Sequence, residues 1–406
     1  MPVKNKMPIN LHLIPDKKTD PLPINKMIWL VFLVCFILLV CLLSFLLWPV
    51  DEVKNSVWFW CCSLLFPTVF GLMLYGLRQL SYENSLTYIR HWNDNHEKLE
   101  KELIKKGQEP VHFLESFYCT PIGESNLCQA IINGEEPLKP IYLAEYRTTV
   151  SLGQLSPAIG KRNNNEYAER LEVLLKKIAP SLNNSLNKNY KEANLKVRIK
   201  HDGIISDSDV LLLWHQVLNH EQIRDVIFTS EDDGLLWIDH WLDDKSSTDI
   251  AISVEIHLLK EPLQNHVESV SVLILGRADW YLDREVTPKA AIHRPVKIDN
   301  LTESLTDALR WGKLVEQGSS DYFFWHSQVS PEMLTEVTIT LDSVEHPINQ
   351  GKSFDLDPTF GLPDKAVGNI ALILACEKAY SENENQLILL RDSSYQVCTV
   401  RPLSVH

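Results

Sequence analysis

Two long apolar blocks near the N-terminus constrain this chain more than any other feature. Met27–Trp48 and Val57–Leu77 contain no charged residue. As a helix the first block spans about 33 Å, enough to cross a bilayer core of about 30 Å. A buried helix of a soluble protein would show a polar stripe over this length, and the apolar stretch is too long for a cleaved signal peptide. The blocks predict a transmembrane hairpin, with a modest kink at Pro67.

The flanks of this hairpin predict its direction, because basic residues favour the cytoplasmic side of a membrane. Segment 1–26 is a basic tail with five lysines, whereas the loop 49–56 carries only Lys54 beside two acidic residues. Six basic residues follow the second block: Arg78, Arg90, Lys98, Lys101, Lys105 and Lys106. We therefore expect both termini in the cytoplasm.

Cysteine usage agrees with that direction. The four cysteines beyond the spans show no CxxC or metal-ligand spacing, which is typical of a reduced, cytosolic domain. They are Cys119, Cys128, Cys376 and Cys398. A disulfide between Cys119 and Cys128 would require the opposite orientation.

Composition bounds the class of protein. The 406 residues are 45% hydrophobic and 23% charged, as in a folded chain long enough for two or three domains. Lys and Arg number 39 against 53 Asp and Glu, a formal charge of −14. This balance argues against nucleic acid as a partner.

Periodicity divides the rest of the chain into a stalk and an α/β domain. Segment 78–139 is predicted to be a helical stalk as far as Gln108, or alternatively a helix packed on its own domain, followed by an irregular connector rich in Gly and Pro. From Pro140 to His406, strands and helices alternate, in two halves of about 140–277 and 285–406. The predicted strands include Ile141–Arg147 and Val337–Leu341. Each half closes with a helix and two strands, which predicts layered α/β structure with a mostly parallel sheet and antiparallel edges.

This doubled order resembles the thiolase-like fold of ketoacyl synthases and thiolases. The stretch FGLPDKAVGNIALILACEKA, starting at Phe360, looks like that family's glycine-rich turn and small-residue helix, with glycines at Gly361 and Gly368. In DYFFWHS, His326 ends a strand before a helical start, as the first active-site histidine of condensing enzymes does. The resemblance implies a homodimer.

The departures from the family are at its active site. The place of the nucleophilic cysteine is the run 230–234, SEDDG, which has no cysteine and whose acidic residues would raise a thiol pKa. The second histidine aligns near Leu362, which cannot donate to an oxyanion. Ser327 and Gln328 replace the glycines after the first histidine. The resemblance therefore implies a dismantled condensing site and a non-enzymatic use of the scaffold.

Other site chemistry has weak support in the sequence. His240 with Asp239, Asp243 and Asp244 could bind a metal, but a surface charge patch is the favoured interpretation. Phosphate-binding glycine loops and the GxSxG motif are absent from the sequence. We expect neither a metal nor a cofactor.

Two functional hypotheses follow. In the first, the chain is a two-pass protein of a bacterial inner membrane whose cytosolic domain is an inactive docking or adaptor module. Its organisation looks like accessory membrane proteins encoded with type VI secretion clusters, which implies secretion components or effectors as partners. In the second, it is a membrane-tethered enzyme of acyl or lipid metabolism, with His326 as base beside Asp232.

Overall fold

The computed structural model divides into two units, Met1–Leu103 and Ile104–His406, which are described separately. The residues that it describes are 9, 11, 14–49, 56–144, 147–158, 163–218, 223–229, 234–244, 248–281, 286–317, 321–349 and 351–403.

The first apolar block forms helix α1 (Lys26–Leu47), which begins where the Asn25 side chain accepts hydrogen bonds from the N–H groups of Met27 and Ile28. None of its 22 residues is buried. A helix that exposes leucine, valine and phenylalanine all round needs an apolar environment. Helix α1 and the helix that begins at Val57 are each long and apolar enough to cross a membrane.

The second block is helical but contains a wider turn. Helix α2 (Val57–Trp60) passes into a π-helical turn, Cys61–Leu65, and then into α3 (Phe66–Gly107). The N–H of Phe66 bonds to the carbonyl of Cys61, five residues back. Such a turn directly before Pro67 makes room for a residue that lacks an N–H and whose ring crowds the preceding turn. The predicted helical continuation to about Gln108 is confirmed.

The end of the basic tail contacts α3 within the first unit. The Lys18 N–H donates to Asn93 Oδ1 over 2.9 Å, and its ammonium lies 4.2 Å from the ring centre of Trp92. The Trp92 indole N–H donates to the carbonyl of Asp16 over 3.2 Å. Segment 16–18 is thus held on the helix rather than extended as a free tail.

In its described residues, the first half of the second unit contains seven strands and four helices. In chain order they are β1 (Val111–Cys119), α4 (Leu127–Ile132), β2 (Lys139–Leu143), β3 (Thr148–Leu152), α5 (Asn164–Asn189), β4 (Leu195–Lys200), α6 (Asp207–Val217), β5 (Ile223–Phe228), α7 (Trp237–Asp243), β6 (Ile250–His257) and β7 (Ser269–Gly276).

The second half repeats the pattern. Its elements are α8 (Ala278–Tyr281), β8 (Ala290–Ile292), β9 (Val296–Lys297), α9 (Leu301–Trp311), α10 (Leu314–Gln317), β10 (Phe323–Ser327), α11 (Pro331–Ser343), β11 (Ser353–Asp355), α12 (Leu356–Thr359), a 3-10 turn (Asp364–Ala366), α13 (Val367–Glu382), β12 (Gln386–Arg391) and β13 (Tyr395–Pro402).

Strand order shows that the two halves are equivalent. The first half runs β5-β4-β6-β7-β1 and the second β11-β10-β12-β13-β8, so corresponding strands occupy corresponding places. The strand that comes last in the sequence of each half, β7 or β13, is antiparallel to both of its neighbours in the sheet. Antiparallel pairing of β1 with β8 joins the halves into one continuous sheet. The predicted doubled α/β architecture is confirmed. The predicted antiparallel edges are wrong, because the antiparallel pairs lie at the centre of the sheet and the outer pairs are parallel.

Three local predictions are wrong. The central strand β1 lies in the predicted irregular connector, whose Gly and Pro residues follow the strand instead of interrupting it. The predicted first strand, Ile141–Arg147, corresponds in part to strand β2, but β2 pairs only with β3 among the described strands and so is not the first strand of the main sheet. Val337–Leu341 is part of helix α11, which Ser330 caps and Pro331 begins.

The core places apolar and polar residues on opposite faces of β6. Ile250, Ile252, Val254 and Ile256 pack in the cluster beneath α5 and α6. The alternate residues Ala251, Ser253, Glu255 and His257 point the other way, towards α13, and are also buried. Two residues of this buried polar face, Glu255 and His257, belong to the sites described below.

Candidate functional site

His326 lies at the end of β10, as predicted. Its side chain is 8% exposed, and Nδ1 is 3.6 Å from Oδ1 of Asp355, its register partner on β11. Burial lowers the pKa of His326, an effect that the carboxylates of Asp355 and Asp357 oppose. A largely neutral imidazole beside a carboxylate is an arrangement that can accept a proton.

The backbone after His326 is anchored by Asp357. The Ser327 hydroxyl donates to Asp357 Oδ1 over 2.8 Å, and the Gln328 N–H donates to Oδ2 over 2.8 Å. Burial raises the pKa of Asp357, which these two donors oppose. Because the Gln328 N–H already has a carboxylate acceptor, it is not a free donor for an oxyanion.

The place expected for a nucleophile is the start of α7. Asp232 and the rest of 230–233 lie outside the described residues, so the predicted pairing of His326 with Asp232 stays a prediction. In the described part, the Gly234 N–H donates to Asp392 Oδ2 over 3.0 Å and the Leu235 N–H to Gln396 Oε1 over 2.7 Å. Side chains of the second half therefore bond the N–H groups at this turn.

A buried ion-pair network fills the space between α7, β6 and α13. Arg198 NH1 donates to Glu255 Oε1 over 2.9 Å, and its NH2 donates to the carbonyl of Gly234 over 3.3 Å. The other Glu255 oxygen accepts the N–H of Asn369 over 2.7 Å. A Cβ on Gly368 would lie 3.0 Å from Glu255 Oε1, so glycine is needed for this close approach. The network neutralises its own charge, and a pocket of about 380 Å³ lies beside it, lined in part by Arg198, Trp237 and Ala251.

The thiols of the α/β domain are poorly suited to nucleophilic attack. Cys119 and Cys128 are buried, and burial raises their pKa to about 11 and about 12. Burial also raises the pKa of Cys376 and of Cys398, both 0% exposed. A thiol with such a pKa is protonated near neutral pH. All eight cysteines of the chain are free.

The place of the second family histidine is occupied by backbone pairing. Gly361 has a φ of +100°, and a Cβ there would meet the Asn265 carbonyl at 3.1 Å. The Leu362 N–H then donates to that carbonyl over 2.7 Å, and the Val267 N–H donates to the Leu362 carbonyl over 3.0 Å. The apolar side chain at Leu362 offers no donor, as the sequence indicated.

This backbone pairing brings His266 into a cluster of side chains that the sequence did not reveal. His257, His266 and Asp364 each offer one ligand atom, and the three atoms lie within 4.8 Å of one another. His257 Nδ1 is 2.7 Å from Asp202 Oδ1. The sequence offered one signal for this cluster. The polar residues Glu255 and His257 alternate with apolar residues along β6, a strand that is buried on both faces.

The alternative metal cluster at α7 is used by ion pairs. Asp239 and Asp243 both accept hydrogen bonds from Arg294, and Asp243 also pairs with Lys106 over 2.8 Å. Asp244 pairs with Lys196. Burial would raise the pKa of Asp243, but Lys106 and Arg294 together lower it. These carboxylates are neutralised by protein cations, so the charge-patch interpretation is the better one.

Comparison with known proteins gives the fold. No protein-family model matches the sequence, and no curated protein matches it. A β-ketoacyl synthase from Burkholderia phymatum superposes with a TM-score of 0.52 at 8% identity, over 73% of this chain and 100% of that chain. The fold is thiolase-like.

Two further thiolase-like structures agree. A ketosynthase from module 6 of the bacillaene synthase of Bacillus subtilis has a TM-score of 0.51 at 9% identity, over 73% of this chain and 71% of that chain. A chain from the complex of a type II polyketide synthase acyl-carrier protein with its ketosynthase gives 0.51 at 11%, over 73% and 100%. Likeness at such identities establishes the fold alone, and function has to be argued from the site.

Proposed function

We propose that this chain is a membrane-anchored protein whose thiolase-like domain is a non-catalytic docking module. The observation that carries the proposal is the place of the missing nucleophile. The sequence there is SEDDG, and the N–H groups of Gly234 and Leu235 bond to Asp392 and Gln396. The Arg198–Glu255 pair beside this turn is buried and places paired charges next to the position of the missing nucleophile.

The partners proposed for this module are other proteins of a secretion apparatus. The support is the organisation of the chain, a basic tail, a hairpin and a large α/β domain, which looks like accessory membrane proteins encoded with type VI secretion clusters. By that likeness, secretion components or effectors are the proteins to seek.

The proposal is tested by acyl transfer and by partner capture on the same preparation. Full-length protein in mild detergent, incubated with acyl-coenzyme A, should gain no covalent acyl mass on the α/β domain in mass spectrometry, because the thiols of that domain stay protonated and buried. His326→Ala should capture the same cross-linked secretion proteins as wild type. The matched control is His215→Ala, an exposed histidine on α6.

Two results would overturn it. One is a stoichiometric acyl adduct on the wild-type chain. The other is loss of partner capture in folded His326→Ala, with capture retained in His215→Ala.

A second candidate, a membrane-tethered enzyme of acyl or lipid metabolism, has one specific observation in its favour. The buried His326 imidazole faces Asp355 at 3.6 Å, so the carboxylate beside the proposed base is Asp355. Hydrolysis or transfer of an acyl thioester that disappears in His326→Ala would favour this function over docking.

We further propose that the chain lies in a bacterial inner membrane with both termini in the cytoplasm. Two spans return the chain to its starting side, and the contacts of Lys18 with Trp92 and Asn93 require these flanks to share one side. The lysines of the tail favour the cytoplasm.

Protease added outside spheroplasts is expected to leave the α/β domain intact, and detergent permeabilisation is expected to expose it. A periplasmic reporter fused after residue 403 should be inactive. Digestion of the domain in unbroken spheroplasts would reverse the orientation.

A further inference from the structure

A cluster of three ligand-type side chains lies where the two halves meet. His257 is the last residue of β6, His266 lies in the loop before β7, and Asp364 begins the 3-10 turn before α13. One ligand atom from each lies within 4.8 Å of the other two. The first half thus supplies two imidazoles and the second half a carboxylate.

The inner histidine is oriented by a second carboxylate. His257 Nδ1 lies 2.7 Å from Asp202 Oδ1, and the other Asp202 oxygen accepts the Leu258 N–H over 2.7 Å. A carboxylate partner favours the imidazole proton on Nδ1, and Nε2 then keeps a lone pair that can bind a metal. Histidines that bind metals in proteins are commonly oriented in this way.

Both histidines hold a buried ring nitrogen that has no hydrogen-bond partner among the described residues. These atoms are Nε2 of His257, a side chain only 3% exposed, and Nδ1 of His266. The two ring centres are 5.8 Å apart. A buried polar atom without a partner is destabilising, and native proteins rarely retain one without a reason. An ion between the rings would use both lone pairs.

We infer that His257, His266 and Asp364 bind a divalent transition-metal ion of the Zn²⁺ type. Two imidazole nitrogens and a carboxylate oxygen suit such an ion, and the Asp364 and Asp202 charges balance it. His266 and Asp364 are partly exposed, so a fourth coordination position is accessible to water or a ligand. The site does not depend on the docking function.

The geometry requires a modest contraction. Tetrahedral Zn²⁺ with bonds of about 2.0–2.1 Å brings its ligand atoms to about 3.3 Å from one another. Asp202 fixes His257 at the strand end, whereas His266 and Asp364 lie in a loop and a turn and can move inward. Metal binding would therefore connect the two halves at this point.

Zinc titration of the full-length, detergent-solubilised protein tests the inference. The protein is purified without a polyhistidine tag, stripped with a chelator and titrated with Zn²⁺ against a chromophoric competitor. We expect saturation at a single ion per chain and a higher melting temperature in excess Zn²⁺. His266→Ala and Asp364→Asn should weaken binding at least tenfold. Asp202→Asn should weaken it by about 10–100-fold, the usual effect of removing such an orienting group.

His215→Ala, outside the cluster, is the matched control and should bind as wild type. Circular dichroism identifies any variant that fails to fold, and Asp364→Asn preserves the size of the side chain. Co²⁺ titrated into the wild-type chain should give the visible spectrum of a tetrahedral nitrogen–oxygen site. Absence of saturable binding to the wild type, or unchanged affinity in folded His266→Ala and Asp364→Asn, would overturn the inference.

Discussion

Glu255→Ala is expected to lower the free energy of unfolding of the α/β domain by about 3–5 kcal/mol, because it leaves a buried charge without its partner. Glu255 is 0% exposed, and it pairs with Arg198, whose side chain is 6% exposed. The same substitution removes the acceptor of the Asn369 N–H at the start of α13. Chemical denaturation of the full chain in detergent, followed by circular dichroism, measures the loss.

The matched control is Glu172→Ala. Glu172 pairs with Lys176 one turn along α5, where Lys176 is 62% exposed, and such surface pairs contribute about 0.3–0.5 kcal/mol. Glu255→Gln separates charge from hydrogen bonding, since the amide oxygen can still accept the Asn369 N–H. If Glu255→Ala unfolds at the same denaturant concentration as Glu172→Ala, the Arg198 guanidinium reaches water and the Arg198–Glu255 pair does not stabilise the domain.

Elements with a strong local signal could be predicted from the sequence. The helix over Asp364–Tyr380 and the two closing strands of the second half correspond to the 3-10 turn with α13, and to β12 and β13. Their apolar runs are bounded by charged or turn residues, so local pattern and tertiary structure agree.

Elements whose role depends on distant contacts were assigned wrongly. β1 has the pattern of a buried strand, but only its pairing with β7 and β8 shows that it is part of the main sheet. The β-branched residues in Val337–Leu341 favour a strand, yet the Ser330 cap and Pro331 start a helix that continues through them. Capping was the better signal at this position.

The candidate sites were less predictable than the fold because their residues are far apart in the chain. His326 could be found through the resemblance, since it lies within one short motif. His257, His266 and Asp364 meet only after Leu362 pairs with Asn265 and Val267, which joins the two halves. Spacing rules for metal ligands apply to local motifs and cannot detect such a cluster. The expected absence of a metal rested on those rules.

Trp325→Ala should destabilise the second half by about 3–5 kcal/mol, the range for removing a large aromatic side chain from a core. Trp325 is 0% exposed, with ring centres of Phe323 and Phe354 at 4.8 and 5.4 Å. Its indole N–H donates to Gln386 Oε1 over 2.9 Å, so truncation also leaves the amide oxygen of a fully buried glutamine without this donor. Denaturant unfolding of the full chain is the measurement.

Two variants make the Trp325 result specific. Trp325→Phe keeps an aromatic ring but loses the indole N–H and part of the ring volume, so a smaller loss than in Trp325→Ala is expected. Tyr142→Ala, at a side chain 64% exposed on β2, should change stability by less than about 0.5 kcal/mol. Equal stability of Trp325→Ala and Tyr142→Ala would mean that β10 is loosely packed. Because His326 follows Trp325 on β10, a loosely packed β10 would let the His326 imidazole move. The enzyme hypothesis needs such a movement. A rigid β10 instead keeps the Gln328 N–H on Asp357 and favours the docking module.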